Sequence, residues 1–163
     1  MNKKVGIRYE DKYELERRTP LVPEDVKKLI EEKKLSITVQ KCGKRIFIDD
    51  EYNKAGAVVA DNMKDCDIIF GIKEVTIPSF EDNKTYIFFS HIIKGQEYNM
   101  PMLRKMMEKK INLIDYEKIV DDKGGRLIFF GNFAGLAGMI DTIWAIGIRL
   151  EHFGIKTPFT KLK

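Results

Sequence analysis

Tyr86-Ile87-Phe88-Phe89 places four large apolar side chains in succession, with Lys84 before the run and Ser90-His91 directly after it. Successive side chains of a strand point to opposite faces, so such a run is satisfied in a strand covered on both sides. That burial is the mark of a parallel sheet between helical layers. The run makes residues 84–90 a strand, and other short Val- and Ile-rich segments read as its companions: residues 4–8, 36–41 with Ile37 and Val39 alternating, 67–72, 111–116 and 127–130.

Helical signals fall between them. Pro23, Glu24 and Asp25 suit a first helical turn, and Val26, Leu29 and Ile30 form an apolar stripe, predicting a helix over 23–34. A short helix over 49–56 ends on Gly56, and one over 101–110 turns Leu103, Met106 and Met107 inward. Asp121-Asp122-Lys123-Gly124-Gly125 is turn chemistry. A long helix over 133–153 is capped by Gly154, with Pro158 as a stop. This order predicts a three-layer α/β fold with a mostly parallel, flavodoxin- or Rossmann-like sheet.

Charge and composition narrow the function. The net charge is +4, but both signs are interleaved, as in Glu31-Glu32-Lys33-Lys34, so no basic stripe suits nucleic acid. No unbroken apolar run approaches the roughly 18 residues of a membrane span, and Met1-Asn2-Lys3-Lys4 leads straight into a strand, so a cytoplasmic protein off the membrane is expected. Cys42 and Cys66 stand far apart, as reduced thiols would, and with only His91 and His152 no ligand spacing points to a metal.

In open parallel sheets ligands bind outside the carboxyl ends of the strands. Four polar residues fall there: Arg18 in the loop after the first strand, Lys73 after Phe70-Gly71-Ile72, His91 after Phe88-Phe89-Ser90, and Glu117 after Ile114-Asp115-Tyr116. A guanidinium that grips a carboxylate, a lysine beside an imidazole, and a carboxylate that tunes them suit imine or amine chemistry on an anionic substrate.

Gly6-Ile7-Arg8-Tyr9-Glu10 and Glu16-Arg17-Arg18-Thr19-Pro20-Leu21-Val22-Pro23 resemble the opening of the alanine dehydrogenase, transhydrogenase and saccharopine dehydrogenase superfamily. Gly71-Ile72-Lys73-Glu74, Tyr86 to His91, Gln96-Glu97-Tyr98-Asn99-Met100-Pro101, Leu113 to Glu117 and Phe133-Ala134-Gly135 are similar to its lysine-2-oxoglutarate reductase members. The resemblance implies Arg18 as a substrate-carboxylate ligand, Lys73 and His91 as the acid–base pair, Glu117 beside Lys73, and Glu74 as a second acidic neighbour on the substrate side. It implies a reaction in which lysine's side-chain amine condenses with 2-oxoglutarate and the imine is reduced by NADPH or NADH to saccharopine.

Members of that superfamily carry a G-x-G-x-x-G turn in a separate Rossmann domain. Gly131, Gly135 and Gly138 lack its first close pair, so this chain alone is expected to bind no dinucleotide. Residues 1–132 are then the substrate-binding domain, and 133–163 a connector toward a Rossmann domain supplied in cis or trans. Without that domain the connector should expose a hydrophobic patch or pair with another copy, and the chain should be inactive. A stand-alone amino-acid or 2-oxo-acid binding module with a regulatory role is the alternative. It shares the Arg18 site and differs in needing no cofactor domain.

Overall fold

The computed structural model describes residues 3–162. Six strands among them form one parallel sheet: β1 (Lys4–Ile7), β2 (Ser36–Gln40), β3 (Val58–Ala60), β4 (Ile68–Phe70), β5 (Thr85–Phe88) and β6 (Asn112–Asp115). Their order is β3-β2-β1-β4-β5-β6. Register is set by the apolar residues of the centre: Val5 lies opposite Ile37 and Ile68, and Ile7 opposite Val39 and Phe70. The winding reverses between β1 and β4, and a reversal of this kind opens a crevice at the carboxyl ends of the strands.

Helices cover the sheet diagonally. On one face α1 (Pro23–Lys33) and α2 (Asp49–Lys54) lie over the β1–β3 half, where Val26, Tyr52 and Ala57 pack on Val5, Ile7, Ile37 and Val39. On the other face α3 (Met100–Glu108) covers β4 and β5, where Met102 and Met106 meet Ile69, Tyr86 and Phe88. The central run behaves as its composition demands: Tyr86, Ile87, Phe88 and Phe89 are all buried. The third core cluster, Ile72, Ile87, Phe89 and Tyr116, lies at the carboxyl edge on the α1 side and forms the walls of the site.

The structure corrects several expectations. Residues 127–130 are not a strand: the Asp121–Gly125 turn folds back on Ile119 and Val120, outside the sheet, leaving one bridge between Val120 and Arg126. Among the described residues the outer edge of β6 stays unpaired, and Ile128, Phe129 and Phe130 line the cavities instead. Consequently Gly131, Gly135 and Gly138 do not follow a strand. In α3 the inward residues are Met102 and Met106, with Leu103 partly buried, while Met107 is 71% exposed. Apolar residues at 102, 103, 106 and 107 leave the stripe degenerate, and the approach of α3 to β4 and β5 selects it. The three-residue β3, next to the Gly56 turn, carries too little pattern to be read in advance.

The fourth helix, α4 (Gly131–His152), packs extensively on the C-terminal 3₁₀ turn Pro158–Lys161. Leu136, Met139, Ile140 and Ile146 on it are exposed. Judged as a window and not as an unbroken run, α4 is long and apolar enough, by length and composition, to cross a membrane. Asp141 and the glycines hide this from a search for consecutive apolar residues.

Candidate active site

Lys73, His91 and Glu117 come from the ends of three adjacent strands and line one cavity of about 150 Å³, together with Ile72, Phe89, Arg126, Phe129 and Phe130. A larger apolar cavity of about 510 Å³ shares Ile72, Phe89 and Phe130 with it and has Arg18 in its wall. Phe89 is the aromatic hub: its ring stacks on His91 at 6.4 Å and packs on Tyr116 at 4.9 Å and Phe130 at 5.7 Å. Walls of this kind exclude water and strengthen the electrostatics of the few polar groups that enter. Burial also pushes the Tyr116 phenol far up, with the Glu10 charge adding to it, so Tyr116 acts as a neutral wall.

His91 is oriented from behind. Its Nδ1 lies 2.8 Å from Glu74 Oε1, and the same oxygen lies 2.9 Å from Lys12 Nζ. Burial alone would raise the Glu74 pKa, but the bonds from His91 and Lys12 outweigh it and hold the carboxyl below its ordinary range. Lys12 agrees: burial works against its charge, and Glu74 more than restores it, leaving the ammonium pKa raised. An ionised Glu74 only accepts, so the Nδ1 of His91 carries the proton and Nε2 is the nitrogen free for proton exchange.

Lys73 is placed through its backbone. The buried Glu10 carboxylate accepts from the amides of Ile72 and Lys73, both at 2.8 Å, tying the loop after β1 to the end of β4. Burial raises the Glu10 pKa, and the two amides and Arg8 offset part of that. Glu117 pairs with Arg126 at 3.3 Å, and its Oε2 is buried without a hydrogen-bond partner among the described residues. No Lys73–Glu117 ion pair lies within 4.0 Å among the described residues, although both line the same cavity.

Arg18 sits over the Phe130 ring at 5.1 Å and is gripped by Glu16, with Nε donating to Oε1 at 2.8 Å and Nη2 to Oε2 at 2.6 Å. The bond to Arg18 is the main cause holding Glu16 below the usual carboxylate range. The guanidinium thus already holds one carboxylate, that of Glu16, in two-point geometry.

The five residues singled out from sequence thus fall into three arrangements: Lys73, His91 and Glu117 share a cavity, Arg18 lines the adjoining one, and Glu74 lies behind His91 instead of in the cavity wall. Sequence reasoning passed over Glu10, Lys12 and Glu16, which sit in the charged loop between β1 and α1. Their density of charge between two apolar elements was the available signal. Among the described residues no group of His, Cys, Asp and Glu is arranged to hold a metal ion, and Cys42 and Cys66 are free thiols.

A family model described as alanine dehydrogenase/PNT, N-terminal domain, matches residues 6–137. The chain belongs to that family. Relatives of this family member include the mitochondrial alpha-aminoadipic semialdehyde synthase of Rattus norvegicus, 39% identical over 97% of this chain and 17% of that protein. The alpha-aminoadipic semialdehyde synthase of Arabidopsis thaliana is 40% identical over 97% of this chain and 15% of its own length. A saccharopine dehydrogenase [NAD(+), L-lysine-forming] of Neurospora crassa is 32% identical over 91% of this chain and 41% of that enzyme. The chain therefore spans less than half the length of each. A transhydrogenase structure from Sinorhizobium meliloti superposes with a TM-score of 0.60 at 23% identity, covering 74% of this chain and 35% of that one, which supports the α/β fold.

Proposed function

We propose that this chain supplies the substrate-binding and acid–base half of an NAD(P)-dependent lysine-2-oxoglutarate reductase, the saccharopine-forming reaction, or of a saccharopine dehydrogenase. The observation that carries the reading is the convergence of Lys73, His91 and Glu117 on one aromatic-walled cavity beside Arg18. The name of one relative, a lysine-forming saccharopine dehydrogenase, supports lysine and saccharopine as the substrate class.

The residues present do not fit a dinucleotide. A pyrophosphate cradle needs closely spaced glycines in a tight turn between strand and helix. Gly131, Gly135 and Gly138 lie within α4, and no strand leads into it. NADPH or NADH is accordingly assigned to a Rossmann domain in cis or trans, reached through α4, and this chain alone is expected to be inactive.

Each polar group then has a task. Arg18 exchanges Glu16 for a substrate carboxylate and holds it in two-point geometry. His91, with Nδ1 committed to Glu74, takes or gives a proton at Nε2. Lys73 is the second proton-transfer group, its loop fixed by Glu10. Glu117, with one buried oxygen unpartnered, sets the charge balance around both.

The test is steady-state kinetics with a nicotinamide-binding domain supplied. His91→Ala and Lys73→Met are expected to lower turnover by about 10²- to 10⁴-fold with little change in KM. Arg18→Ala should act mainly through KM, because the carboxylate is present in ground and transition states alike. A His91→Ala enzyme whose turnover stays within a few-fold of the parent would reject the assignment.

A further inference from the structure

His91 has φ 52°, in the left-handed region. Non-glycine residues are uncommon there; among the described residues Lys34, Asn83 and Lys110 share it, Lys34 at the end of α1 and Lys110 just past α3, whereas His91 adopts it in the wall of the cavity. The surroundings are specific. Asn99, 4% exposed at the entry to α3, donates its side-chain amide to the carbonyls of Ser90 at 3.2 Å and His91 at 3.4 Å. Two consecutive carbonyls are thus gathered onto one nitrogen, as a sharp reversal at His91 requires.

The turn is anchored on its other side by Ser90, which is fully buried and donates its hydroxyl to Asp115 Oδ2. The other oxygen of that carboxylate, Oδ1, accepts from the amide of Glu117 at 2.9 Å. One carboxylate therefore ties the end of β5 to the end of β6, and through them His91 to Glu117.

We propose that Asn99, Ser90 and Asp115 are positioning residues that hold His91 in its left-handed conformation against Glu74 and fix its separation from Glu117. The inference rests on the acid–base reading of His91 for its purpose, while its geometry is independent of which substrate is bound. A network serving stability alone would brace the strand ends and leave the imidazole's bond to Glu74 indifferent to Asn99.

The experiment is nuclear magnetic resonance of the imidazole in the intact chain, which requires no turnover and so stands or falls separately from the proposed function. His152 is exposed, and His152→Gln leaves His91 as the only imidazole. Ring nitrogen shifts then report whether the proton resides on Nδ1, and Glu74→Gln, which alters the acceptor itself, calibrates the change. In Asn99→Ala, and in Ser90→Ala measured beside it, the Nδ1-protonated pattern is expected to move toward that of mixed tautomers by at least half the Glu74→Gln change. The amide signals of β1 to β3 should stay in place. Ser90→Ala deletes one oxygen and keeps both carbonyls, so it decides the matter if Asn99→Ala does not fold. A folded variant of either kind whose imidazole spectrum matches the parent overturns the proposal.

Discussion

Glu74→Gln keeps the shape of a buried side chain and removes the charge on which two partners rely. His91 Nδ1 and Lys12 Nζ approach the same Glu74 oxygen at 2.8 and 2.9 Å. Hydrogen bonds to a charged group contribute about 1.5–3 kcal/mol each. The amide oxygen of glutamine can still accept one of them, and Lys12 and His91 are 25% and 31% exposed, so water replaces part of the loss. The net cost at neutral pH is therefore expected to be roughly 1–2 kcal/mol. Urea denaturation followed by circular dichroism measures it as a lower midpoint at unchanged slope. The pH dependence has a definite sign. Because the folded-state pKa of Glu74 is lowered, its stabilisation is present above the unfolded value of about 4.3 and is lost as pH falls through the folded value. The gap between parent and variant should thus close on acidification below about pH 4. A gap that persists unchanged into that range, or no gap at neutral pH, would refute the account of Glu74.

Two further outcomes follow from packing. An added Cβ on Gly6 would lie 2.8 Å from Met63 Sδ and 3.0 Å from Cys66 Sγ, so Gly6→Ala should destabilise by about 1–3 kcal/mol, and an unchanged thermal melt would contradict the close approach. Leu136 and Ile140 share an exposed face of α4, so the chain is expected to self-associate as its concentration rises and Leu136→Glu with Ile140→Glu to shift it toward monomer. Sedimentation velocity decides, and a parent that stays monomeric throughout excludes self-pairing by α4.

Most of the elements, β3 and residues 127–130 apart, were legible in the local sequence, as were the strand ends past which polar residues fall. Tyr86 to Phe89 demand burial on both faces whatever their neighbours, and Pro23 with Val26, Leu29 and Ile30 favour a helix by local sterics and a periodic apolar stripe. Once such strands are parallel, residues just past their ends must share one edge, which is why Lys73, His91 and Glu117 line one cavity, with Arg18, farther along the loop after β1, in the wall of the adjoining one.

Which charge meets which was settled by the packing of distant segments. Glu74 follows Lys73 directly, yet it turns to His91, 17 positions on, and Glu10 reaches the amides of Ile72 and Lys73, more than 60 positions away. That packing also sent Ile128, Phe129 and Phe130 into the cavity walls, turned Met102 inward and Met107 out, and imposed on His91 a backbone conformation that Asn99 and Ser90 hold in place. The reason is physical. Strand and helix preferences arise within a few residues of chain, where sterics and solvation act on every copy of the same pattern alike. A buried carboxylate takes its partner from whatever donors the packed sheet brings within hydrogen-bond reach, and that distance has no counterpart in the spacing of the sequence.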